Sequence, residues 1–194
     1  GAISGTYEAA RVAAEELMPG EPITVVDTQS LSMAQGFMVL AAAKAAKNGA
    51  SKKEAGEAAL ALGERIHLYG ALATLKYIAM SGRVSSLKAD LANLLSIKPV
   101  LTIQDGKLDM LEQVRTRKKA WARMVNLLAE DAGEKPIEQM AIVHAAALDS
   151  ALAFKDMLEA NLNCPDEIIV AEFTAGLSVH TGPGMVGVGI VAGR

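Results

Sequence analysis

Pro99-Val100-Leu101-Thr102-Ile103, Asp105-Gly106 and Leu108-Asp109-Met110-Leu111-Glu112-Gln113-Val114 decide the fold. Two runs rich in β-branched and apolar residues flank an Asp-Gly pair. That dipeptide supplies the positive φ angles of a tight hairpin turn. An antiparallel strand pair is therefore expected here, and every other segment has to be arranged around a sheet.

Downstream, Arg117 to Glu130 carries Trp121, Val125 and Leu128 on one helical face. Ile137 to His144, Leu148 to Leu162, Glu167 to Phe173 and Val186 to Val191 then read as strand, helix, strand and strand. Upstream, Leu68 to Thr74 reads as a strand, Leu75 to Met80 as a helical turn and Ser86 to Leu95 as a helix. Lys52 to Arg65 reads as a helix capped by Ser51. Leu31 to Lys47 is apolar nearly all round, so it is expected to be a helix buried on most sides. Ile23-Thr24-Val25-Val26, closed by Asp27, reads as a short buried strand. Glu8 to Met18 reads as a helix stopped by Pro19-Gly20. A hairpin next to strand-helix-strand alternation implies an α/β fold with a mixed, partly antiparallel sheet covered by helices. No internal repeat or low-complexity linker interrupts it.

Composition narrows the function. With 194 residues, 51% of them hydrophobic, the chain can bury a substantial core. Its 22 acidic and 19 basic residues leave a formal charge of −3, which gives no general attraction for nucleic acid. The single cysteine, Cys164, cannot form an intramolecular disulfide and has no zinc-spaced neighbours, so a reducing compartment, the cytoplasm, is expected. The stretch Leu31 to Ala46 is broken by Gln35, Gly36 and Lys44, and the tail Val186 to Ala192 is far shorter than a spanning helix, so an integral membrane protein is not expected. The chain shows no Ser/His/Asp or Cys/His triad, zinc spacing or phosphate-binding glycine loop. Neither a catalytic residue nor a metal site is assigned.

Four short motifs follow one another along the chain: Ile3-Ser4-Gly5-Thr6-Tyr7, Asp27-Thr28-Gln29-Ser30-Leu31-Ser32-Met33, Ser81-Gly82-Arg83-Val84-Ser85 and His180-Thr181-Gly182-Pro183-Gly184. A fifth runs from Lys98-Pro99 through Asp105-Gly106-Lys107 to Arg115-Thr116-Arg117-Lys118-Lys119-Ala120. Taken in order they resemble the DegV family, from Ile3 almost to the last residue. The resemblance implies a bacterial carrier that holds one long-chain fatty acid by its carboxylate, has no cofactor, is not an enzyme, and presents the acid to a separate fatty acid kinase. It also implies a division at about residue 28. Residues 1–28 would be the remnant of an N-terminal α/β domain whose further head-group motif is absent here, and residues 29–194 the C-terminal α/β domain.

The resemblance assigns Ser4, Arg83, His180 and Thr181 to the ligand. A carboxylate in an apolar tunnel needs donors, because leaving an ion uncompensated costs several kcal/mol. Ser4 precedes a helix N-terminus, where free backbone N–H groups favour an anion; taken alone, Ser4 or Thr6 could simply cap that helix. Arg83 has a planar fork suited to a carboxylate or phosphate, and could equally be solvated. His180 and Thr181 stand on what reads as a Gly/Pro turn between apolar strands. Met33, Phe37, Met38, Leu40, Leu91, Leu94 and Leu95 could contact a tail but look the same as ordinary core. His67 and His144 read as structural. Arg115 to Lys119 reads as a solvated helix start or a docking surface for an acidic patch. Two other readings remain open: an enzyme using the His180 loop as acid and base on a small substrate, and an interaction module that packs a partner on Leu31 to Ala46.

Overall fold

The computed structural model describes residues 4–17, 19–20, 23–83 and 97–194. The hairpin forms as expected: β2 (Lys98–Gln104) pairs antiparallel with β3 (Lys107–Val114). Asp105 and Gly106 both take positive φ, 51° and 70°, the backbone signature of the type I′ turn. Four further strands complete a mixed sheet of six in the order β3-β2-β1-β6-β4-β5, with β1 (Ile66–Ala71), β4 (Ile137–His144), β5 (Ile168–Glu172) and β6 (Val186–Ala192). Only β4 and β5 are parallel, and the crossover between them is α6 (Leu148–Asn161). Every other pairing is antiparallel.

Strand periodicity gives the sheet two unlike faces. On β6, Val186, Val188 and Ile190 point one way and are fully buried with Met140 and Ile142. They pack against α5 (Arg117–Ala132), through Trp121, Met124 and Leu128, and against α6 through Phe154 and Leu158. The Trp121 and Phe154 rings lie 5.4 Å apart, and Arg117 sits 5.1 Å over the Trp121 ring. Thus Arg117 of the basic cluster covers the core rather than standing free. The opposite face carries Gly187, Gly189 and Val191. There α2 (Ser32–Lys47) sets Phe37 against Ala141 and Val191, and α4 (Lys76–Met80) contributes Ile78 to a second core with Leu72, Leu101 and Val143.

Three expectations are corrected. Ile23 to Val26 is not a strand; it forms no ladder and Ile23 is 46% exposed. A β-branched run becomes a strand only by pairing, and no strand among the described residues lies beside it. Second, α2 is not buried on most sides. Ala34 and Phe37 face the sheet and Met38 packs on Gly63 at the end of the next helix, whereas Val39 and Leu40 are more than half exposed. Its outer face is apolar by composition, not by burial. Third, His180 and Thr181 lie at the end of a short helix, α7 (Ala175–Thr181), rather than on a turn between strands; the Gly-Pro-Gly run follows them. The expected helix Ser86 to Leu95, with Leu91, Leu94 and Leu95, lies outside the described residues, as do Val84 and Ser85.

Between α2 and β1, α3 (Lys52–Gly63) starts as expected. Ser51 Oγ accepts from the Glu54 N–H at 3.3 Å, and the Glu54 carboxylate accepts from the Ser51 N–H at 2.7 Å. This reciprocal box satisfies two otherwise orphan donors. Ser51→Ala is expected to lower stability by about 1 kcal/mol, read as a fall in urea midpoint with unchanged slope.

Candidate ligand-binding site

The second sheet face does not close completely. Between it, α4, α7, the start of α1 (Thr6–Glu16) and the extended run 25–32 lies a cavity of about 580 Å³. Its apolar wall is made by Leu72, Leu101, Val143, Phe173 and Met185. Ser4, Thr6, Arg83, His180 and Thr181 also line it. The volume falls within the roughly 300–1,000 Å³ of ordinary small-molecule sites.

Local backbone chemistry puts each polar residue there. At the end of α4, Gly82 takes φ 75° and the chain closes a double reverse bond, Gly82 N–H to Ala79 O at 3.1 Å and Arg83 N–H to Ile78 O at 3.2 Å. Such a left-handed C-terminal cap favours glycine and turns the next residue back over the helix. Arg83 Nη1 donates to Ser81 O at 2.7 Å, which holds part of the guanidinium in the loop.

In α7, His180 Nδ1 is buried and has no hydrogen-bond partner among the described residues. Burial first, and then the neighbouring Arg83 charge, hold the His180 pKa below that of an ordinary imidazole. The ring is therefore neutral near pH 7 and stands beside a cation. Thr181 Oγ1 donates to Leu177 O at 3.4 Å, a long bond along its own helix, so this hydroxyl must let go before it can donate to a ligand. Directly after it, Gly182 takes φ 72°, and a Cβ there would fall inside the Tyr77 ring. Tyr77 of α4 thus packs closely against Gly182 and holds α7 against α4.

Ser4 is exposed, one residue outside the Gly5 N-cap of α1. Its Oγ accepts from the Thr6 N–H at 3.2 Å and lies 2.7 Å from Thr6 Oγ1. The run 25–32 is held by an Asx turn, Asp27 Oδ1 to Gln29 N–H at 3.0 Å, and takes left-handed φ at Gln29 (49°) and Ser32 (57°). Positive φ at non-glycine residues is uncommon and concentrates where the surroundings over-determine the backbone, ligand sites among them.

This geometry brings together the Arg83 cation, the His180 imidazole and the hydroxyls of Ser4, Thr6 and Thr181 on a cavity that also carries the polar run Asp27 to Ser30 and the apolar wall of Leu72, Leu101, Val143, Phe173 and Met185. A model of the DegV family matches residues 1–193. The chain belongs to the DegV family.

Among curated DegV proteins, a DegV domain-containing protein of Streptomyces coelicolor is 38% identical over 192 residues, which is 99% of this chain and 67% of that protein. Two solved structures superpose closely. A DegV-family protein of Corynebacterium glutamicum gives a TM-score of 0.89 at 30% identity, covering 98% of this chain and 72% of that one. A DegV-family protein of Thermus thermophilus, described as binding fatty acid, gives 0.86 at 30% identity, covering 97% and 67%.

In this DegV chain the four residues assigned from the sequence all reach one cavity. The suggested tail residues fare differently. Phe37 and Met38 are committed to the core and Leu40 is at the surface, so none of the three lines the cavity. The sequence reading did not assign Met185, Phe173 or the run 25–32 to the site. Only the last carried a usable signal, the Asp27-to-Ser32 stretch with its turn-forming polar residues. His67 and His144 do have partners: His67 Nδ1 lies 3.1 Å from Asp131, and buried His144 accepts from the Ala147 N–H at 3.3 Å. Among the described residues no helix is long and apolar enough to cross a membrane.

Proposed function

We propose that this DegV protein binds one long-chain fatty acid, with the carboxylate among Ser4, Arg83, His180 and Thr181 and the alkyl tail along the Leu72, Leu101, Val143 and Met185 wall. The observation that carries the reading is the meeting of Arg83, of His180 with a buried Nδ1 that has no hydrogen-bond partner among the described residues, and of an apolar wall in one cavity. DegV structures described as binding fatty acids support it. Arg83 supplies a fixed charge, the first turn of α1 supplies backbone N–H groups, and His180 supplies a further N–H donor whose bond becomes charge-assisted once the ring is protonated. Nothing in this arrangement requires the carrier itself to make or break a bond. In this reading it works in the cytoplasm and offers the carboxylate to a separate kinase, with Arg83 and His180 orienting the head group. Residues 1–28 belong to a first α/β domain and 29–194 to a second. The extended, unpaired run at Ile23 to Val26 supports that division.

A test follows from His180. A bound carboxylate favours the imidazolium, so the His180 pKa in the complex lies above its depressed value in the free protein. Affinity should therefore rise as pH falls through the window between those two values and level off below the lower one. A long-chain acid has a carboxyl that stays ionised from pH 8 to 6 at submicellar concentration. It is expected to bind more tightly at pH 6 than at pH 8 in calorimetric titration. Its methyl ester should show no such trend, and neither should the acid with a His180→Ala variant. An acid whose affinity is flat with pH, or an ester that tracks it, would remove the carboxylate from His180.

A further inference from the structure

Beside the cavity the sheet carries an unusual pair, of which Gly70 lines it. Along Met185-Val186-Gly187-Val188-Gly189-Ile190, Val186, Val188 and Ile190 face α5 and α6, while Met185, Gly187 and Gly189 alternate with them onto the opposite face. In the register of the sheet Gly187 lies directly opposite Gly70 of β1. Two glycines facing each other across strands leave a side-chain-free hollow. A Cβ built at Gly70 would stand 3.1 Å from Met185 Cε, and one at Gly187 only 2.8 Å from the same methyl. The hollow is therefore filled by the end of the Met185 side chain. The Met185 backbone is pinned by the bond from Ala145 N–H to Met185 O at 3.1 Å, while its side chain keeps three rotatable bonds. Met185 is 6% exposed and lines the cavity between Leu72 and Val143.

We infer that Met185, seated in the Gly70/Gly187 hollow, is the gauge that sets how long an acyl tail the cavity accepts. This inference rests on the fatty-acid reading above. When the methyl lies in the hollow the chamber is at its deepest for a methionine at this position; anything that lifts it out shortens the chamber. Removing the side chain opens the hollow itself to the end of the tail.

The test is displacement of a fluorescent fatty acid by a series of saturated acids from about twelve to about twenty carbons. Met185→Ala frees the space of three heavy atoms and should move the optimum up by about two carbons, the longer acid gaining about fourfold per extra buried methylene. Gly70→Ala leaves the backbone unstrained but pushes the methyl toward the tail, and should move the optimum down by one or two carbons. Gly187→Ala is the poorer probe, since its Cβ would also meet Tyr69 O at 3.0 Å. If one variant fails to fold, the other decides. Folded variants that keep the wild-type optimum would overturn the gauge and leave fatty-acid binding standing. A wild-type protein that displaces with no member of the series would overturn the binding reading, and the gauge with it.

Discussion

A saturated acid of about sixteen carbons is expected to bind this DegV protein on the order of a thousandfold more tightly than one of about eight. Both carry the same head group, so its contacts cancel in the comparison. The eight additional methylenes are worth about 0.8 kcal/mol each when buried, roughly 6 kcal/mol before the cost of ordering the tail. By contrast a charge-assisted hydrogen bond at the head group contributes about 1.5–3 kcal/mol. The tail should therefore dominate affinity and the carboxylate should set orientation. Competition against a fluorescent acid reads the ratio directly. Short and long acids that compete equally would mean that the apolar wall of Leu72, Leu101, Val143 and Met185 does not hold the tail.

Gly182→Ala is expected to be the most damaging small substitution near the site. The position has φ 72°, which costs a side-chain-bearing residue about 1–2 kcal/mol. The new methyl would also overlap the Tyr77 ring, and overpacking of that kind typically costs a further 1–3 kcal/mol, so a loss of about 3 kcal/mol in chemical denaturation is expected. Because α7 ends at Thr181, relief of the overlap moves His180 and should weaken ligand binding in the protein that remains folded. Tyr77→Ala in the same chain should restore the overlap part but not the backbone part. The double-mutant cycle is then expected to show a coupling above 0.5 kcal/mol. A single Gly182→Ala variant as stable as wild type would show that α4 and α7 do not pack as described.

Where a signal was local and had its own chemistry, it was legible. Asp105-Gly106 announced the hairpin because few residues tolerate two successive positive φ angles. Ser51 and Glu54 announced the start of α3 through a capping pattern three residues long. The limits of β4 came out as read, since a buried strand between polar flanks has little freedom. Ile23 to Val26 misled because β-branching states a preference, while pairing is a property of neighbours. The second helix misled because an alanine-rich sequence looks apolar on every side; Val39 and Leu40 show that composition does not say which side meets the sheet. His180 was placed on a turn because Gly182-Pro183-Gly184 is a strong breaker, and nothing in Ala175-Gly176-Leu177 advertises a short helix before it.

The site was less legible than the fold. Ser4, Arg83 and His180 are far apart in the chain, and no periodicity joins them; resemblance of motifs pointed to them, and only the fold shows that they share a cavity. The Gly70/Gly187 hollow depends on strand register and on which way Met185 turns, neither of which is written locally in the sequence. Asp27 to Ser32 lay within a recognised motif, yet the left-handed conformations of Gln29 and Ser32 appear only in the backbone.

The central claim, that this chain holds a long-chain fatty acid, is tested most directly by mass spectrometry of the protein purified without delipidation and then loaded with a long-chain acid, under native conditions and after solvent extraction. The account predicts a complex one acyl chain heavier than the polypeptide, close to one ligand per chain, with the acid recovered in the extract and released on unfolding. A polypeptide that carries no acyl chain as purified and takes up none when offered a long-chain acid, while its fold stays intact, would contradict it.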